Sequence, residues 1–131
     1  SFEDQDSLTY ILLDPASGTA VPDKTYDLVL KDGICDIGAH MFDQDALVFG
    51  DGQIQKASLL FPDGNPYITV TCPGFPDFGI WSVPGSSFVC LEPWMGRCDD
   101  CGFEGQLSEK SNINALKPDE EFIKSYQITV H

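Results

Sequence analysis

The chain has 131 residues and carries 7 Lys and Arg against 21 Asp and Glu, a formal net charge of −14 at pH 7. A surface this acidic repels phosphate backbones and anionic lipid, which argues against nucleic-acid and membrane-surface binding. The length suits one domain over residues 1–131, and no apolar run approaches the ~20 residues of a membrane span.

Short strand-like segments alternate with turn signals along most of the chain, which contains 12 Gly and 9 Pro residues. The segments predicted as strands are Thr9–Leu13, Tyr26–Lys31, Ala46–Phe49, Gln53–Phe61, Tyr67–Cys72, Phe78–Trp81, Ser87–Glu92 and Phe122–His131. Ile37–Leu47 and Glu109–Leu116 could each hold a short helical turn. We therefore predict an all-β fold of antiparallel strands, in a sandwich or barrel.

The last predicted strand has the clearest alternation. Tyr126, Ile128 and Val130 fall on one side, and Gln127 and Thr129 fall on the other. One largely apolar face and one polar face are typical of a half-buried antiparallel strand.

The cysteines number five, an odd count, and they are Cys35, Cys72, Cys90, Cys98 and Cys101. Apolar surroundings of the first three favour buried, reduced thiols in a cytoplasmic protein. In the CDDC motif, two carboxylates lie between Cys98 and Cys101 and disfavour the thiolate that redox chemistry needs. A structural zinc site needs four ligands, and the chain has one such pair, so an ordinary loop is the better interpretation and no metal is expected.

His40 is a lone histidine beside Met41 and Phe42, a setting more typical of a packed or solvated side chain than of a catalytic one. The acidic clusters lack the ligand spacing of a helix-loop-helix calcium site. They are interpreted as a solvated surface.

The segment from Gly74 to Asp99, GFPDFGIWSVPGSSFVCLEPWMGRCD, is dense in aromatic residues. Within it Glu92 ends an apolar strand and is followed by Pro93 and Trp94. A carboxylate fixed at this point and partly desolvated suits a general base, and the indole beside it suits a sugar. Pairing of Glu92 with Arg97 or with backbone amides is an equally good interpretation of the local sequence.

The same segment resembles the aldose 1-epimerase (galactose mutarotase-like) family, closest to a bacterial branch whose sugar is often unassigned. The resemblance rests on FGIWS, on the PG turn and on FVCLEPW, and LLDPASG and FDQDALVF extend it upstream. It implies an antiparallel β-supersandwich, of which this chain would form about half, the C-terminal part. It also implies a general base at Glu92, a sugar contact at Asp45 and a substrate-binding aromatic at Trp94.

The implied reaction interconverts the anomers of a hexose by acid–base ring opening, without a cofactor. The family's catalytic acid is a His in an earlier motif that has no match here, so we expect the isolated chain to be inactive or weakly active. The expected partners are a monosaccharide or sugar derivative, and either the missing N-terminal half or further copies of the chain. The alternative hypothesis is a non-catalytic carbohydrate-binding β-sandwich module.

Overall fold

The computed structural model describes residues 1–131. The strands, numbered in chain order, are β1 Ser7–Leu13, β2 Ala20–Val29, β3 Leu47–Phe49, β4 Lys56–Leu60, β5 Pro66–Thr71, β6 Asp77–Trp81, β7 Cys90–Trp94 and β8 Gln127–Val130. A single 3₁₀ turn spans Leu107–Glu109. No helix in the structure is long and apolar enough to cross a membrane.

The strands form two sheets. One has five strands in the order β2-β1-β3-β6-β7, and the other has three in the order β4-β5-β8. Every pair of neighbouring strands runs antiparallel. The predicted all-β, antiparallel fold class is therefore confirmed.

The hydrophobic core lies between the two sheets. In β6, Phe78 and Ile80 point into this core and are 1% and 4% exposed. Because side chains alternate along a strand, Asp77, Gly79 and Trp81 belong to the opposite, outer face of the five-stranded sheet. That outer face carries the candidate functional residues.

The strand β8 is present but is not half-buried as its alternation predicts. It pairs only with β5, at the edge of the smaller sheet, and Ile128 and Val130 are 57% and 71% exposed. No β8 residue belongs to the hydrophobic core, so alternation predicts the strand correctly but not its burial.

Neither of the two segments that could hold a helical turn forms an α-helix. The segment Ile37–Leu47 forms turns that lead into β3, with Asp45 at a φ of 99°, outside the helical region. The single 3₁₀ turn ends at Glu109, where the second helical segment was predicted to begin. Nucleating a helix is costly, and segments this short gain few helical hydrogen bonds to offset that cost.

Candidate functional site

The side chain of Glu92 lies in the middle of β7, an edge strand of the five-stranded sheet. Its partner across the β6–β7 ladder is Gly79, which in turn pairs with Val48 of β3. Glu92 is half-buried, and its carboxylate oxygen Oε2 accepts a hydrogen bond from Nε1 of Trp94 at 3.2 Å. The carboxylate is thus held by a neighbouring side chain on the outer face of the sheet.

Arg97 does not pair with Glu92, although the sequence allowed that pairing. Its guanidinium donates to Asp100 at 2.5 Å and lies 4.0 Å from Asp77. The nearest cation of the segment is therefore engaged with other carboxylates, and the Glu92 carboxylate is not neutralised by it.

The thiol of Cys90 lies beside Glu92 on the same face of β7. Burial raises the pKa of the Cys90 thiol, and the negative charge of the neighbouring Glu92 carboxylate raises that pKa further. The neutral thiol is therefore the favoured form of Cys90 beside Glu92.

Asp45 lies just before β3, in an open cleft of about 600 Å³ that Leu13, Pro15 and Trp81 also line. Its Oδ1 accepts a hydrogen bond from the backbone N–H of Ala46 at 2.7 Å, which fixes the carboxylate at the mouth of the cleft. The cleft combines one carboxylate with one indole wall, a pairing suited to the hydroxyls and C–H faces of a sugar.

Trp81 lines this cleft and also lies on the sheet face that carries Glu92. It pairs with Cys90 across the β6–β7 ladder, and Cys90 is two residues from Glu92 on the same face. The ring of Phe88 braces Trp81 edge-on, with centroids 6.0 Å apart. Trp81 thus lines the Asp45 cleft and lies on the same face of the sheet as Glu92 and Trp94, but neither Glu92 nor Trp94 lines that cleft.

A buried acid that the sequence analysis did not single out lies on the same face. Asp77 is 2% exposed and pairs with Trp94 across the ladder, while Nδ2 of Asn112 donates to its Oδ2 at 2.8 Å. Burial raises the pKa of Asp77 above its ordinary value, and the hydrogen bond from Asn112 and the charge of Arg97 partly offset that rise. The sequence signal that could have identified Asp77 is its position between Pro76 and an apolar strand.

The other candidate residues from the sequence, His40 and the cysteines of the CDDC motif, do not belong to this group of side chains. His40 is exposed and contacts Asp43 through Nδ1 at 2.8 Å. All the cysteines are free, including Cys98 and Cys101 of the CDDC motif. No group of three or more His, Cys, Asp or Glu side chains is arranged to hold a metal ion.

The fold is similar to that of a solved structure, and the sequence is similar to that of a curated protein. The solved structure of a galactose mutarotase related enzyme from Lactobacillus acidophilus superposes with a TM-score of 0.78 over 95% of this chain, at 28% sequence identity. The chromosomal LacX protein of Lactococcus lactis subsp. lactis is 26% identical over 96 residues, 72% of this chain. No protein-family model matches the sequence.

These matches confirm the resemblance to galactose mutarotase-like proteins that the sequence predicts, and the fold is the galactose mutarotase-like β fold. The chain spans 32% of the length of LacX and 42% of the length of the solved chain.

Proposed function

We propose that this chain is part of an aldose 1-epimerase-like protein that binds a hexose and interconverts its anomers. The observation that supports this function best is the half-buried Glu92 carboxylate, which Trp94 holds at 3.2 Å on the same face as the Asp45 cleft. A fixed carboxylate with no cation paired to it can accept a proton, and the open Asp45 cleft, which shares Trp81 with this face of the sheet, is proposed to hold the sugar that supplies the proton.

In the proposed reaction Glu92 takes the proton from the anomeric hydroxyl, and the bond between C1 and the ring oxygen breaks. The ring oxygen receives a proton from a second group, which the family resemblance assigns to a His that these 131 residues do not supply. Rotation about C1–C2 and closure on the other face then produce the second anomer. Each proton-transfer group contributes about 10²–10⁴-fold to the rate of such a reaction.

Asp45 is proposed to accept hydrogen bonds from sugar hydroxyls, and Trp94 is proposed to close the site beside the base. Support for Asp45 comes from its open position and from the Ala46 N–H that fixes one of its oxygens, leaving the other free to face a ligand. Carboxylates that are already oriented bind hydroxyls with little further loss of conformational freedom.

We propose that further polypeptide covers the open edge of the sandwich. This polypeptide is either more of the same protein or another copy of this chain. An apolar cleft of about 460 Å³ opens between the sheets, lined in part by Phe2, Ile37, Leu59 and Leu91. At the other edge of the smaller sheet, Val130 of β8 is 71% exposed. Exposed apolar surface and an open strand edge favour association. The five free thiols support a cytoplasmic location.

Polarimetry of freshly dissolved α-aldohexoses, with and without the intact protein that contains this chain, tests the proposed activity, because the isolated chain is expected to lack the catalytic acid. We expect faster approach to anomeric equilibrium for at least one aldose. The matching methyl glycosides serve as binding controls, since they lack the anomeric hydroxyl proton and cannot ring-open. If calorimetry shows that aldoses bind while their mutarotation is not accelerated, the protein is a non-catalytic carbohydrate-binding module instead.

A further inference from the structure

The two tryptophans on the outer face differ in their surroundings. Trp81 lines the open Asp45 cleft. Its indole N–H donates no hydrogen bond to another side chain, unlike that of Trp94. Trp94 has its N–H engaged, because Nε1 donates to Oε2 of Glu92 at 3.2 Å. The two indoles are therefore suited to different tasks.

The ring of Trp94 lies in space that the missing side chain of Gly79 leaves open. Gly79 lies beneath the indole, and a Cβ at that position would fall 2.5 Å from Cζ2 and 2.8 Å from Cη2 of Trp94. Gly79 has no positive φ, so this glycine is not required by the backbone conformation. A glycine within a strand interior marks close approach of another group, and here that group is the indole.

The same geometry limits how Trp94 can meet a sugar. One face of the indole lies against the backbone of β6 at Gly79, and the polar edge is turned to Glu92. The indole is thus seated on the sheet and directed at the base, whereas Trp81 presents its ring at the cleft with Phe88 behind it.

We propose that Trp94 is a positioning residue, which holds Glu92 in one rotamer through its indole N–H, and that Trp81 is the aromatic that contacts the sugar. This inference rests on the proposed function, since it assigns Glu92 the base. A small displacement of a catalytic group costs up to about 10²-fold in rate, so a fixed rotamer at Glu92 has a direct kinetic value.

A comparison of kinetic constants separates the two roles. Trp94→Phe keeps an aromatic ring on Gly79 but removes the donor, and we expect kcat to fall about 10-fold with KM changed less than about twofold. Trp81→Leu removes the wall of the cleft, and we expect mainly a rise in KM, about 10-fold. If Trp94→Phe leaves kcat unchanged or raises KM alone, the positioning role is wrong.

Nuclear magnetic resonance of the indole N–H groups tests the hydrogen bond itself. The Trp94 N–H signal can be assigned from contacts between its ring protons and the Gly79 Hα protons, which needs no tryptophan variant. We expect this signal to move upfield in Glu92→Gln, because a neutral amide oxygen accepts a weaker hydrogen bond than a carboxylate. The Trp81 signal should stay in place. An unchanged Trp94 signal would overturn the inference.

The two measurements also distinguish the possible failures. If the wild-type protein accelerates mutarotation, Glu92→Gln abolishes it and Trp94→Phe is normal, the proposed function stands and the positioning role fails. If the intact wild-type protein that contains this chain gives no acceleration with any aldose, the proposed function fails and the role of Trp94 in catalysis fails with it.

Discussion

Gly79 and Glu92 lie directly opposite each other across the β6–β7 ladder. The side chain that Gly79 lacks leaves the space in which the Trp94 indole sits, and that indole donates to Glu92 at 3.2 Å. A glycine on one strand therefore determines where the carboxylate of the next strand is held. This arrangement connects the local sequence of β6 to the proposed chemistry of β7.

Gly79→Ala tests this arrangement. The new methyl group collides with the indole, so we expect the Trp94–Glu92 hydrogen bond to break and the free energy of unfolding to fall by about 1–3 kcal/mol, the usual cost of overpacking. Chemical denaturation measures the second effect. Gly38→Ala is the matched control, because nothing lies within 4 Å of its added methyl group. An equal effect of both substitutions would contradict the close approach at Gly79.

Asp77→Asn tests the buried acid through the pH dependence of stability. Because burial raises the folded pKa of Asp77 above its ordinary value of 3.8, the folded protein holds this proton to a higher pH than the unfolded chain. The stability that the proton confers is full below pH 3.8 and is lost as the pH rises through the folded pKa. The free energy of unfolding of wild type minus that of Asp77→Asn should therefore fall with rising pH across this window.

Asp63→Asn provides a control of opposite sign. Asp63 is exposed, and hydrogen bonds from Asn65 lower its pKa below 3.8. Its stabilising contribution is present above that pH and is lost as the pH falls, so the corresponding difference should rise with pH. Denaturant titrations from pH 3 to pH 7 measure both differences. Parallel slopes for the two variants would contradict the burial of Asp77.

The reactivity of Cys90 reports the charge of Glu92. The carboxylate and burial together raise the pKa of this thiol, so Glu92→Gln should increase the thiolate fraction and speed alkylation by iodoacetamide severalfold. Mass spectrometry of the Cys90 peptide after timed labelling measures the rate. Cys101, which is exposed, is the internal control and should react at the same rate in both proteins. Unchanged labelling of Cys90 would show that the two side chains do not interact.

Asp45→Asn tests the proposed sugar contact. It is preferred to Asp45→Ala because of the backbone conformation at this position. Asp45 has a φ of 99°, and Asn tolerates positive φ better than Ala does, so the Asn variant should fold with little loss of stability. We expect Asp45→Asn to weaken aldose binding about 10-fold, as loss of a hydrogen bond to a charged acceptor predicts. Calorimetric titration measures the affinity. Normal affinity in a folded Asp45→Asn protein would exclude this contact.

The fold could be predicted from the sequence where alternation and turns agree. The segment Tyr67–Cys72 alternates, and its strand is β5. The start of β2 was missed, because Pro22 and its polar neighbours are typical of a turn, yet β2 is an edge strand that tolerates a proline. The exposure of β8 could not be predicted, because it depends on what packs against the strand and not on the strand's own residues.

The candidate site was predicted in part. The local sequence and the family resemblance both point to Glu92 and Trp94, and the resemblance points to Asp45; the structure places Glu92 and Trp94 on one face of β7 and Asp45 in a cleft with Trp81. The hydrogen bond between Trp94 and Glu92 was not predicted, because the sequence does not show that Gly79 lies opposite. Asp77 was also missed, since its contact with Asn112 joins positions 35 residues apart.

The central claim is that Glu92 is the general base, and the rate of mutarotation by the Glu92→Gln variant tests it most directly. With the intact protein that contains this chain, polarimetry should show the enzymatic rate falling by about 10²–10⁴-fold relative to wild type, the contribution of one proton-transfer group. Glu104→Gln, which changes an exposed carboxylate in the same way, should keep the wild-type rate. A folded Glu92→Gln protein that interconverts anomers as fast as wild type would contradict the assignment of Glu92 as the general base.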